Sequence, residues 1–398
     1  MRAIVLGVAA GIAVFGLAGI GPSDAKEIAL GAADFHERCG SDEPDIRLKR
    51  AWCAVADVLS PDAEGTFDTM GLLYHCAYDA EPVLEWGLQI AFCDILAAWS
   101  EEAAVRADAR YWSAYALDEI GRYDEAIADL DYALQLQPDF YNALLNRGLA
   151  KRKNGDLGGA VDDYDAAIEL EPARMDAYNN RGTVFLRLER YDRAIADFQK
   201  ALDLQPGNSL TRFNLGLALQ REGRLRAALA NYEALAAAGD AIGEVVDIAF
   251  LHGQRAEAYA DLNDGAAAVA AYEDVVSHDP SVSAAHFMLA QFRAFGPDEV
   301  RDFDKALFHA EENLRLDPAD GVGVYVLARI HAAKGDIESA VATHRRLADN
   351  HWVYKSLYIS VLKQKGYLDG DAPEDEWSEA AQAALTECAR ENCTILNE

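Results

Sequence analysis

Beyond its first 25 residues the chain has no stretch long and apolar enough to cross a bilayer. Cations are also in short supply. Its 36 Lys plus Arg stand against 67 Asp plus Glu, and the formal charge of −31 repels phosphate backbones and anionic headgroups, so nucleic acid is not an expected partner. There is no phosphate-cradling loop, nucleophile elbow or H-E-x-x-H pair, so no catalytic residue and no cofactor is expected. His252, His278, His309, His331 and His344 have no companions at metal-ligand spacing, and no C-x-x-C occurs, so neither zinc nor another metal is expected. Acidic segments such as "GGAVDDYDAAIELEP" lack the Gly-centred turn of a calcium loop and read as solvated helix faces.

The opening residues, "MRAIVLGVAAGIAVFGLAGIGPSDAKE", place one Arg before an apolar run and then the small-x-small site Ser23-Asp24-Ala25, the pattern of a secretory signal peptide cleaved after Ala25. The competing reading is an uncleaved anchor over residues 3–20, made weakly hydrophobic by its Gly and Ala. Removal is the expectation, which leaves a mature chain that is not inserted in a membrane. No Cys stands at the cleavage site, so a lipid-modified N-terminus is not indicated.

All six cysteines, Cys39, Cys53, Cys76, Cys93, Cys388 and Cys393, follow the signal, and an even number in an exported chain favours disulfides. Antiparallel helices over 45–59 and 66–78 would bring Cys53 to within about one turn of Cys76, which makes them the best local pair. Cys388 and Cys393 suit a small loop of their own. The adjacent His75 and Cys76 are the one arrangement suggestive of thiol activation, but no acid–base framework surrounds them.

The chain also repeats itself. Pro138, Pro172 and Pro206 are 34 apart, as are Gly148, Gly182 and Gly216, and Ala126, Ala160, Ala194 and Ala228; Leu130, Tyr164, Phe198 and Tyr232 keep the same step. Each copy holds two helical patterns joined near a Gly, as in "ALDEIGRYDEAIADL". Small residues at positions eight, twenty and twenty-seven let helices cross closely, the residue at twenty-four fills the space beside them, and Pro at thirty-two ends the hairpin. These units resemble tetratricopeptide repeats. The resemblance implies an all-α, right-handed superhelical solenoid of antiparallel helical hairpins. Regular copies run 107–140, 141–174, 175–208 and 209–242. Divergent ones follow at 249–282, 283–318 with an insertion around "FGPDEVRDFD", and about 321–354. The expected organisation is a signal at 1–25, a helical, Cys-bearing N-terminal cap at 26–106, regular repeats at 107–242, divergent repeats at 243–354 with a phase break at 243–248, and a C-terminal helical cap at 355–398.

In the first helix of each repeat, position six lies roughly 200° from the packed position eight at about 3.6 residues per turn, so it faces away from the hairpin's interior. Asn146, Asn180 and Asn214 occupy it, with Gln254 in the fifth copy. Positions nine and thirteen share that stripe and carry Leu149, Thr183 and Leu217, then Lys153, Arg187 and Arg221. A carboxamide donates and accepts, so a row of them can pair with the backbone of an extended peptide whatever its side chains. The arrangement is similar to the asparagine ladder of O-linked N-acetylglucosamine transferases, without their catalytic region. The carboxylate clamp of chaperone-binding modules is not carried over, because its basic positions hold Asp176 and Asn180, or Leu210 and Asn214.

Residues 141–240 carry 14 basic and 14 acidic side chains, so the whole excess of −31 lies elsewhere. Lys153, Arg187 and Arg221 are therefore candidates to steer an acidic partner. The expected function is a non-catalytic protein–protein interaction scaffold of the bacterial periplasm that takes an extended peptide in its groove. Two alternatives stand beside it: a thiol-dependent or hydrolytic enzyme with its activity in 26–106, and a structural subunit of an envelope complex.

Overall fold

A computed structural model describes residues 30–31, 34, 37–39, 45–58, 66–67, 76, 86–238, 246–350, 352–372 and 377–391. The expected signal peptide and the first half of the expected phase break, 243–245, lie outside the described residues. The chain forms two compact units, one ending at Pro206 and one beginning at Gly207.

The N-terminal unit opens with α1 (Ile46–Val58) and α2 (Trp86–Trp99), which pack on each other. Three hairpins follow: α3 (Ala103–Glu119) with α4 (Tyr123–Leu136), α5 (Tyr141–Lys153) with α6 (Leu157–Leu170), and α7 (Met175–Arg187) with α8 (Tyr191–Leu204). The C-terminal unit continues the pattern. Here α9 (Ser209–Arg221) pairs with α10 (Leu225–Ala236), and α11 (Ile248–Asp261) with α12 (Gly265–His278). Next, α13 (Ser283–Phe295) pairs with α14 (Phe303–Leu316), and α15 (Gly321–Ala333) with α16 (Ile337–Asn350). The "FGPDEVRDFD" insertion contributes a short 3-10 turn at Asp298–Val300. Two last helices, α17 (Trp352–Gln364) and α18 (Glu379–Arg390), close this unit over a core that includes Leu347, Tyr358, Leu362 and Leu385.

The small-residue notches work as their spacing requires. A Cβ on Gly148, Gly182 or Gly216 would stand 2.6, 2.8 or 2.4 Å from a ring carbon of Tyr164, Phe198 or Tyr232, all three of which are fully buried. Six of the seven hairpins turn through one residue with positive φ at position fifteen, which is glycine at Gly121, Gly155, Gly223 and Gly335. Glu189 (φ 57°) and Asn263 (φ 59°) adopt the same left-handed conformation without being glycine.

In the cap the cysteines pair as Cys39–Cys53 and Cys76–Cys93, with Cα separations of 4.6 and 4.9 Å. This corrects the expected Cys53–Cys76 pair, and the reason is local. Thr66–Phe67, expected to begin a helix, is extended and pairs antiparallel with Leu30–Gly31, so the helix packed on α1 is α2, which carries Cys93. Cys388 is disulfide-bonded and buried on α18, and Cys393 lies outside the described residues. Among the described residues no cysteine is free, and all four cysteines of the cap are in disulfides.

Candidate functional site

Within the N-terminal unit the first helices of consecutive hairpins touch, α3 against α5 and α5 against α7. The second helices, α4, α6 and α8, approach one another less closely. A wall whose members lie closer together is the inner side of a bend, so the first helices form the concave face of this unit.

On that face Asn146 and Asn180 are half-buried, neither sealed inside nor fully exposed. Asn146 lies near the Tyr111 hydroxyl on α3, and burial holds that phenol above its ordinary range. Among the described residues the Asn180 carboxamide has no hydrogen-bond partner. Leu149 and Thr183 are half-buried, and the Thr183 hydroxyl donates to the Asn179 carbonyl one turn back (2.9 Å).

The two cations of this unit are tied to the preceding hairpin. Lys153 forms an ion pair with Asp118 at the end of α3 and lies 5.9 Å from the Tyr123 ring centroid. Arg187 donates from Nη1 to the Arg152 carbonyl at the end of α5 (3.2 Å). Both therefore stitch adjacent first helices together; Lys153 is neutralised by Asp118, whereas the Arg187 bond is to a neutral carbonyl and leaves its charge in place.

In the C-terminal unit Asn214 and Leu217 are half-buried on α9, and Arg221 is exposed at its end. Gln254 departs from the pattern: on α11 it is only 8% exposed, so it is not an accessible rung like the asparagines.

Two further groups were not anticipated. Arg147 grips Asp163 on its own hairpin through Nε and Nη2 (3.0 and 2.6 Å) and reaches Asp131 of the preceding hairpin through Nη1 (2.6 Å). Arg181 repeats this, holding Asp197 (2.9 and 2.7 Å) and Asp165. In the first hairpin the equivalent position is Ser113, and the place of the arginine is taken from the cap. Arg47 on α1 binds Asp129 (2.8 and 2.6 Å), Asp94 (2.8 Å) and the Ser113 hydroxyl (3.0 Å). The 34-residue step of Asp129, Asp163 and Asp197 was the available signal.

The second group is aromatic. Asp108, Tyr111, Trp112 and Tyr115 share one stripe of α3 through their i, i+3, i+4 and i+7 spacing. Tyr115 meets Trp86 of α2 at 6.2 Å and Trp112 at 6.0 Å, while Tyr111 meets Trp112 and Phe140 at 5.1 Å each. Asp108 shares this stripe, and burial pushes its carboxyl up to about 6.

Among the described residues no group of three or more His, Cys, Asp or Glu could hold a metal ion, and no helix is long and apolar enough to cross a membrane.

Family models described as tetratricopeptide repeat match residues 107–140, 145–209 and 254–294. The chain carries tetratricopeptide repeats. The C-terminal part of a tetratricopeptide repeat-containing protein from Cytophaga hutchinsonii aligns with 65% of this chain and 98% of its own at 18% identity and a TM-score of 0.51, which shows the shared repeat fold. A tetratricopeptide repeat protein from Parabacteroides merdae aligns with 65% of this chain and 97% of its own (17% identity, TM-score 0.46). YrrB, described as having an unusual peptide-binding site, aligns over 55% and 90% (20% identity, TM-score 0.32). No curated protein sequence matches the chain.

Proposed function

We propose that the protein is a non-catalytic scaffold that binds an extended segment of a partner protein along the first-helix wall of its N-terminal unit. The observation that carries this reading is Asn180, a half-buried carboxamide on the concave face with no hydrogen-bond partner among the described residues, one helix away from Asn146. A half-buried amide without a protein partner can donate and accept toward a ligand backbone, and two such groups on neighbouring helices can fix a strand. Solenoids of this kind use their concave faces for partners.

The same reading holds the protein to be exported to the periplasm of a bacterium. Support comes from the first 25 residues and from the two disulfides in the cap, which suit an oxidising compartment. An epitope-tagged chain is expected in the periplasmic fraction, beginning at Lys26; recovery at full length in the cytoplasm overturns export.

Binding is tested with a photo-crosslinking residue at position 180 and, as control, at Gln199, which is exposed on α8. Capture of the same partner from 180 but not from 199, and its loss in an Asn146→Ala/Asn180→Ala variant, is the expected result. Equal capture from both positions sinks the groove and favours attachment through the outer faces.

A further inference from the structure

We propose that the aromatic stretch of α3 around Asp108 is a subsite for a lysine or arginine side chain of the bound peptide. The inference rests on the groove reading above and adds a residue preference to it.

Three observations point to a cation. Asp108 is half-buried yet has no ion pair and no hydrogen-bond partner among the described residues. The other buried acids of this unit are compensated: Asp94 and Asp129 by Arg47 and Arg110, Asp163 by Arg147 and Lys151, Asp197 by Arg181. Desolvating a carboxylate without a partner costs stability, and such a charge persists where a ligand supplies the missing one. Burial pushes the Asp108 carboxyl up, and Arg174, whose charge reaches Tyr111, is paired with Asp176.

The rings give the second observation. Tyr111, Trp112 and Tyr115 lie along the same stripe, Trp86 of α2 meets Tyr115, and Tyr115 is 38% exposed. The face of an indole or phenol attracts an ammonium or guanidinium, and the methylenes of either side chain pack on the same surface. An acidic side chain would instead meet both a like charge and the negative faces of the rings.

Position gives the third. Tyr111 feels both the Asn146 amide and the charge of Asp108, so the carboxylate and the first rung of the amide row lie near the same phenol. A peptide backbone held at Asn146 and Asn180 can therefore send a long side chain toward Asp108. The net charge of −31 favours approach of a basic segment over an acidic one. This runs against the acidic preference suggested by Lys153 and Arg187, of which Lys153 is already paired with Asp118.

The probe is a positional-scanning library of acetylated, amidated decapeptides presented to the full chain, to Asp108→Asn and to Asn146→Ala/Asn180→Ala. With the native protein we expect Lys and Arg to be enriched about tenfold over Leu and Met at one position, falling to parity in Asp108→Asn. Peptides retained without that preference, or a preference unchanged in Asp108→Asn, overturn the subsite and leave the groove standing. No retention by the native chain overturns both. A stability readout separates a ligand-directed carboxylate from a structural one. Asp108→Asn removes an uncompensated charge and should raise the melting temperature, whereas a carboxylate with a structural role would lower it on replacement.

Discussion

The tightest constraint on single residues lies between position eight and position twenty-four. Alanine at Gly182 would gain about 1 kcal/mol of helix propensity, but its methyl would sit 2.8 Å from Phe198 in a filled core, and overpacking of that kind costs about 1–3 kcal/mol. The clash should win, so Gly182→Ala is expected to lower the urea midpoint. The first repeat shows the remedy, because there Ala114 stands with Leu130, both buried. Gly182→Ala/Phe198→Leu should therefore lose less stability than the two single changes summed, which a double-mutant cycle measures. At the turn the logic runs the other way. Glu189 holds the left-handed conformation that four other repeats give to glycine, and Glu189→Gly is expected to stabilise by about 1 kcal/mol, read as a higher urea midpoint.

Between elements, the Arg–Asp ties do work that the apolar pattern does not. Asp197 is 6% exposed and held by two bonds from Arg181, whereas the Asp165 side chain is about half exposed. Breaking a buried pair from one side costs about 3–5 kcal/mol, and an exposed tie is worth about 1 kcal/mol or less. Arg181→Met should consequently lower stability far more than Asp165→Ala, and Arg181→Met/Asp197→Leu should recover most of the loss; equal effects of the two single changes would falsify this ranking. The hairpins were legible because Gly148, Gly182 and Gly216 and the rings they admit recur at a fixed step. The arginine ties follow the same step but pair residues 16 apart on different helices, a relation that helical periodicity alone does not display. In the cap nothing repeats, and the partner of Cys53 was misread because Thr66–Phe67 is extended rather than helical. The amide stripe was readable from rotation about a helix axis, but the aromatic stretch beside it was not, since one copy has no period.

At the scale of the whole molecule, two buried histidines link stability to pH. His286 donates from Nε2 to the Pro280 carbonyl (3.2 Å), and its Nδ1 faces Nδ1 of His309 at 3.0 Å. Burial, with help from His286, lowers His309 to about 4, and burial lowers His344, bonded to the Tyr358 hydroxyl, to about 3. A lowered histidine value means that the unfolded chain takes up the proton first as pH falls. The stability these rings confer is thus complete above about 6.5 and is lost progressively down to the folded values. For His309 the loss between pH 7 and pH 5 is about 2 kcal/mol, and His309→Asn should flatten the decline in denaturant midpoints by that amount.

Arg47 carries a lesson for anyone who wishes to trim this protein. Because it reaches from α1 to Asp129 in the first repeat, the cap supplies a side chain that the later repeats provide for themselves. A fragment cut at residue 107 would leave Asp129 with Arg110 alone, at 3.3 Å, and without Arg47. Ser113→Arg, which gives that repeat the residue its neighbours own, is the natural repair for a shortened array.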